Sequence, residues 1–179
     1  MRYPTLILTL AGASFLTGCS SLISLNPFIS DTQATTDPRL VGTWKNPAPD
    51  EKETMSIEEK DKVYTVKFTG DNSETVTYQC RLARLGDLEF WDLVSSDDDP
   101  FVIRPHTLMR LWVSDAKIRW AFIDSDWMRE QAKKALATQE NEGRTLITTQ
   151  GEALMQFWQK FAGEDQAHGD ITDLVKVVN

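Results

Sequence analysis

The chain has 179 residues, 41% hydrophobic and 26% charged, with 27 acidic against 19 basic side chains and two cysteines. These proportions exclude a disordered tail, a disulfide scaffold, a collagen and a polytopic membrane protein, and the length suits one domain that folds without a metal or disulfide staple. The net charge of −8, with the cations scattered singly, also excludes nucleic acid as a partner, because neutralising phosphates takes a Lys/Arg stripe.

Residues 1–18 form the first element. Arg2 is followed by an uncharged apolar run from Leu6 to Phe15, the n-region and h-region of a signal peptide. The run falls short of the ~20 apolar residues that cross a bilayer. Ala11-Gly12-Ala13 offers a small-x-small cleavage site, but cutting there leaves an h-region of only Leu6 to Leu10. The later site, Leu16-Thr17-Gly18-Cys19, resembles the lipobox of bacterial lipoproteins. That resemblance implies a diacylglyceryl thioether on Cys19, removal of residues 1–18 and N-acylation of the new terminus. With Ser20 rather than Asp after the cysteine, it further implies delivery to the outer membrane, facing the periplasm. Several acyl chains on one residue give stable anchoring, whereas a single chain binds reversibly. Lipidation of Cys19 leaves Cys80 without a partner. Nothing in the sequence ties His106 or His168 to this thiol, so Cys80 reads as a small core residue rather than a nucleophile.

Residues 19–38 are rich in Ser, Thr, Asn and Pro and read as a flexible lipidated tether. Leu22, Ile23, Leu25, Phe28 and Ile29 are its unusual apolar positions, suited either to the membrane interface or to docking on the domain. The folded unit is expected over residues 39–163. Apolar residues alternate with polar ones at Met55 and Ile57, at Tyr64, Val66 and Phe68, and at Val76, Tyr78, Cys80 and Leu82. Turn signals stand at Asn46 to Pro49, at Gly70-Asp71-Asn72 and at Gly86-Asp87. Leu88 to Val94 predicts a further strand, and Thr107 to Val113 and Lys117 to Ile123 predict a hairpin joined at Ser114-Asp115-Ala116.

The period then becomes helical. Ser125 suits the N-cap of a helix through Trp127, Met128, Ala132 and Leu136, broken at residues 141–144, and Leu146-Ile147 suits an edge strand. Thr149-Gln150-Gly151-Glu152 has the spacing of a capping box, opening a second helix that carries Ala153, Leu154, Phe157, Trp158 and Phe161 on one face. Residues 164–179 read as a C-terminal tail, in which Ile171, Leu174, Val175 and Val178 suit a short helix. The sum is a mainly β chain: a small antiparallel barrel of about seven or eight strands with two C-terminal α-helices.

Gly42-Thr43-Trp44, at the start of the strand run, resembles the Gly-x-Trp element of lipocalin-like barrels. The resemblance covers residues 40–123. It implies a lipocalin-like barrel in which the glycine permits close backbone approach and the tryptophan plugs the closed end. Trp44, Tyr64, Phe68, Tyr78, Phe90, Trp120 and Phe122 are then the candidates for the inward face, lining a site for a small apolar ligand. An eight-stranded barrel is just wide enough either to fill with side chains or to hold one such ligand. The second alternative is an adaptor with a packed core that binds another envelope protein.

No cofactor and no metal site is expected. Asp97-Asp98-Asp99 lacks the interleaved spacing of a calcium loop and reads as a solvated turn, and His106 has no second histidine nearby. No nucleophile elbow or phosphate loop is present, and Asp124 and Asp126 suit a helix start better than paired acid and base chemistry. Trp127 is expected to clamp its helix to the barrel. The membrane, through Cys19, is the expected partner besides the ligand or envelope protein.

Overall fold

The computed structural model describes residues 22–70, 72–96, 103–141 and 144–177. Along the chain they form β1 (Leu22–Ser24), β2 (Gly42–Lys45), β3 (Thr54–Lys60), β4 (Val63–Thr69), β5 (Thr75–Leu85), β6 (Leu88–Ser95), β7 (His106–Val113) and β8 (Lys117–Phe122). Then follow α1 (Asp126–Ala135), β9 (Thr138–Asn141), β10 (Arg144–Ile147), α2 (Glu152–Phe161) and β11 (Thr172–Lys176), with single 3₁₀ turns at Pro38–Leu40 and Asp165–Ala167.

Strands β2 to β8 pair in sequence as an antiparallel meander. The sheet closes through β11, which lies antiparallel to β8 (Leu174 opposite Ile118) and to β2 (Lys176 opposite Trp44). The result is a closed, lipocalin-like barrel of eight antiparallel strands with two helices in its C-terminal half. The eighth strand comes from the segment expected as a tail with a short helix. The spacing of Ile171, Leu174 and Val175 suits a helix, but β2 and β8 present unpaired edges that a strand alone can satisfy. Val178 lies outside the described residues.

The turns follow their residues. Asp61 and Lys62 both take positive φ, at 53° and 64°, the geometry that joins β3 to β4 without splaying them. Gly86, at φ 62°, does the same between β5 and β6. At Gly42 the backbone sits at φ 132°, and an added Cβ would stand 3.2 Å from Lys176 Cε. The group that approaches the Gly42 backbone here is the Lys176 side chain. Its ammonium donates to the Arg39 carbonyl at 3.0 Å and lies 5.0 Å from the Trp44 ring centroid.

Two hydrophobic cores result. The inner one fills the barrel: Leu40, Trp44, Met55, Ile57, Tyr64, Val66, Cys80, Leu82, Trp91, Leu93, Met109, Leu111, Ile118 and Leu174. The outer one lies against the other face of β5 to β7 and joins Leu22, Phe28 and Ile29 to Phe90, Leu108, Met128, Ala132, Ile147, Leu154, Phe157 and Trp158. Because both faces of β6 are covered, Glu89 through Leu93 are all buried. Strand alternation then sends Trp91 inward and Phe90 outward.

Ser125 caps α1 as its sequence suggests, accepting from the Met128 N–H at 3.1 Å. The second helix is different. It starts behind Gly151 without a side-chain cap, and Thr149 Oγ1 accepts instead from the Ala137 N–H at 2.8 Å, so the capping box does not form. Trp127 meets Phe161 edge-on at 5.7 Å, linking the two helices, and packs against the outer core.

The segment read as a tether is built into the domain from Leu22 onward. β1 runs parallel to β10 and touches β7 at Ser24 opposite His106, which places β10 between β1 and β9 instead of at an edge. Leu25 N–H donates to the Ile147 carbonyl at 3.0 Å, and Thr35 N–H to Leu82 at 2.8 Å. Asp92, 3% exposed, accepts from the Phe28 and Ile29 N–H groups at 2.9 and 3.2 Å and pairs with His106 Nδ1 at 2.8 Å. Burial was decided here by the docking alternative, because these apolar side chains cover a sheet face that would otherwise meet water.

Candidate functional site

Of the seven residues expected to line the barrel, six point inward. Trp44 and Tyr64 are fully buried, and the Trp44 indole N–H donates to the Leu40 carbonyl at 2.8 Å. Phe68, Tyr78, Trp120 and Phe122 gather toward the end of the barrel where β4 and β8 finish, and they are half-buried. Phe68 meets Tyr78 at 5.9 Å and Trp120 at 5.8 Å, and Trp120 meets Phe122 at 5.5 Å, all edge-on. Phe90 is a correction: it belongs to the outer core, and Trp91 takes the inward place. Cys80 is 1% exposed inside the barrel, where burial pushes its thiol pKa well up, a setting for an inert side chain. The Trp91 and Trp120 indole nitrogens, both buried, have no hydrogen-bond partner among the described residues. Cys19 and Asp97-Asp98-Asp99 lie outside the described residues.

An open cleft lies at the opposite rim, where the β5–β6 and β7–β8 turns meet the 3₁₀ turn at Pro38–Leu40. Its volume is about 640 Å³. Asp37, itself buried, holds two of the arginines that line the cleft, Arg39 and Arg84. As the cap of the 3₁₀ turn it accepts from the Arg39 N–H at 2.9 Å, and Arg39 grips both carboxylate oxygens through its guanidinium, with Nε at 3.0 Å from each. Arg84 reaches the same carboxylate at 3.0 Å and also holds Glu89, its cross-strand partner, at 2.7 Å. The Arg39 guanidinium, helped by the Arg39 N–H and by Arg84, holds the Asp37 pKa below its ordinary value against the opposing effect of burial. Tyr64 ties this network to the inner core: its hydroxyl accepts from the Asp37 N–H at 2.7 Å.

The far wall is Trp112, with the Arg110 guanidinium 4.6 Å and the Arg119 guanidinium 5.4 Å from its ring centroid. Such stacking is favoured most for Arg on Trp. Lys117 and Arg119 share a single carboxylate, Asp173, at 3.0 and 3.4 Å. That wall therefore carries surplus positive charge on a chain whose net charge is −8. Behind it, Arg110 donates to His168 Nε2 at 3.1 Å. Burial, reinforced by Arg110, lowers the His168 pKa against the contrary pull of the Ala162 carbonyl and Asp165.

A second open cleft, about 390 Å³, lies across the β5–β6 turn between Leu85, Leu88 and Trp158. Among the described residues no group of three or more His, Cys, Asp or Glu is placed to hold a metal, and no helix is long and apolar enough to cross a membrane.

The rim network escapes a sequence reading because its members stand far apart in the chain and each looks like ordinary surface charge. Glu89 left the one usable signal, as a charge inside the apolar run from Leu88 to Val94. A charge in such a strand must be paired or exposed. No protein-family model, curated protein or solved structure matches the chain.

Proposed function

We propose that this chain is a lipoprotein anchored through Cys19 in the outer membrane, facing the periplasm, and that it works as an adaptor whose barrel exterior binds another envelope protein. The observation that carries this reading is the filling of the barrel by large side chains. Trp44, Met55, Ile57, Tyr64, Leu82, Trp91, Leu93, Met109 and Ile118 are each under 2% exposed. An interior packed in this way is a scaffold, and the accessible recognition chemistry is at the rim. Trp112, with two guanidinium groups near its ring, brings together residue types enriched among the residues that dominate protein interfaces. The surplus charge of Lys117 and Arg119 suits a partner segment that brings a carboxylate beside an apolar side chain.

Cross-linking from Asp115→Cys, in the turn above the cleft, is expected to trap one envelope protein in intact cells, and Arg119→Glu to reduce that adduct several-fold. An adduct unaffected by Arg119→Glu, or saturable uptake of a fluorescent fatty acid by the purified domain, overturns the reading. The fatty-acid arm addresses the second reading, a lipocalin-like carrier of a small apolar ligand. The unpartnered indole N–H of Trp120, in the half-buried aromatic row, favours it, since a ligand oxygen would satisfy it.

A further inference from the structure

The anchor proposed at Cys19 and the first described strand are separated by almost no chain. Leu22 is 1% exposed and already sits in β1, opposite Thr145 of β10. Three Cα steps from Leu22 to Cys19 span at most about 11 Å, even fully extended. The segment behind Leu22 cannot lengthen this reach. Ser24 is buried, and Asn26 Nδ2 donates to the Thr148 and Thr149 carbonyls at 3.2 and 3.3 Å. Phe28 and Ile29 are held by Asp92, and Asp31 is paired with Arg81 at 2.9 Å.

We infer that the domain has no spacer and is held directly against the bilayer, with the outlying sheet β1–β10–β9 as the face nearest the lipid headgroups. This rests on lipidation of Cys19. A lipid-bearing residue must lie at headgroup depth. Leu22 is therefore within about 11 Å of that depth, and β10 and β9 follow at strand spacings of about 4.8 Å each. The opposite wall of the barrel is β3, four strands from β7 in either direction around the closed sheet. The partner of this face is the headgroup surface of the membrane that carries the anchor. Membrane attachment thereby fixes the orientation of the whole domain as well as its location.

The test uses full-length protein processed in bacterial cells, extracted from membranes and reconstituted into phosphatidylethanolamine/phosphatidylglycerol vesicles containing a nitroxide-headgroup lipid. A fluorophore is placed at Gln139→Cys, exposed on β9, or at Glu58→Cys, exposed on β3. Cys80 is buried and stays unlabelled. Quenching is expected to be several-fold stronger at position 139 than at position 58. A Gly/Ser spacer of about 20 residues inserted before Leu22, with a mean span of about 25 Å, is expected to abolish the difference. Equal quenching without the spacer, in protein whose mass carries the lipid, overturns this inference and leaves the anchor standing. A Cys19 peptide without lipid overturns both.

Discussion

The two cores are assembled from opposite kinds of sequence. The inner core draws almost entirely on one meander, Gly42 to Phe122, in which each strand pairs with the next and every second side chain turns inward. The outer core takes Leu22, Phe28 and Ile29 from one end of the chain, Leu154, Phe157 and Trp158 from the other, and Phe90 and Leu108 from the backs of barrel strands. The first can nucleate from neighbouring hairpins, whereas the second needs contacts between distant segments and the loop-closure entropy that goes with them. The inner core is accordingly a scaffold, and the outer layer is what fastens the segment from Leu22 to Ile29 to that scaffold.

The largest blow to the inner core is expected from Trp91→Ala, which empties a fully buried site and costs about 3–5 kcal/mol. Denaturant unfolding should show one transition at a lower midpoint. If the barrel instead tolerates this change with little loss, the interior is not the packed scaffold described here. Asp92→Ala addresses the outer layer, leaving two buried N–H groups unpaired at roughly 1–3 kcal/mol each. Hydrogen exchange is expected to accelerate over residues 22–37 while the amides of β3 to β5 keep their protection. Equal acceleration in both would merge the two cores into one cooperative unit. Ser125→Ala removes the cap of α1 and should lower stability by about 1 kcal/mol, with the earliest loss of protection in α1 and the turn at Asp165–Ala167 that packs against it.

The smallest effect should come from pH. The folded protein lowers the His168 pKa from its ordinary 6.5, chiefly by burial and further through Arg110, with Asp165 opposing. The unfolded chain then binds the proton more readily. The stabilising contribution is whole above pH 6.5 and falls as the pH drops from there through the folded-state value. The stability of His168→Gln is expected to decline less between neutral and mildly acidic pH than that of the parent. An identical slope in the two proteins would remove His168 as the source.

How far the chain could be read in advance differs between the same two regions. The alternation at Tyr64, Val66 and Phe68, and at Tyr78, Cys80 and Leu82, carries its own geometry, because a period of two has one inward face in any sheet. Ser125 announces its helix for the same local reason. Phe90 shows where local reading ends. In a run apolar on both faces, alternation says that Phe90 and Trp91 point opposite ways, but not which of them is inside. The helices outside β6 made that choice. Thr149 likewise had the spacing of a cap, and the neighbouring Ala137 N–H claimed it.

Local pattern alone was enough for a mainly β domain of antiparallel hairpins followed by two helices, because side-chain period, turn residues and caps act within a few positions of one another. Three matters were left to the tertiary structure: that residues 172–176 close the barrel, that residues 22–37 are packed against it, and that Arg39, Arg84, Glu89, Trp112 and Arg119 share one rim. The physical reason is common to all three. A free strand edge, an uncovered apolar face and an unpaired buried charge can be satisfied by any segment of suitable chemistry, and only the closed fold determines which segment is within reach.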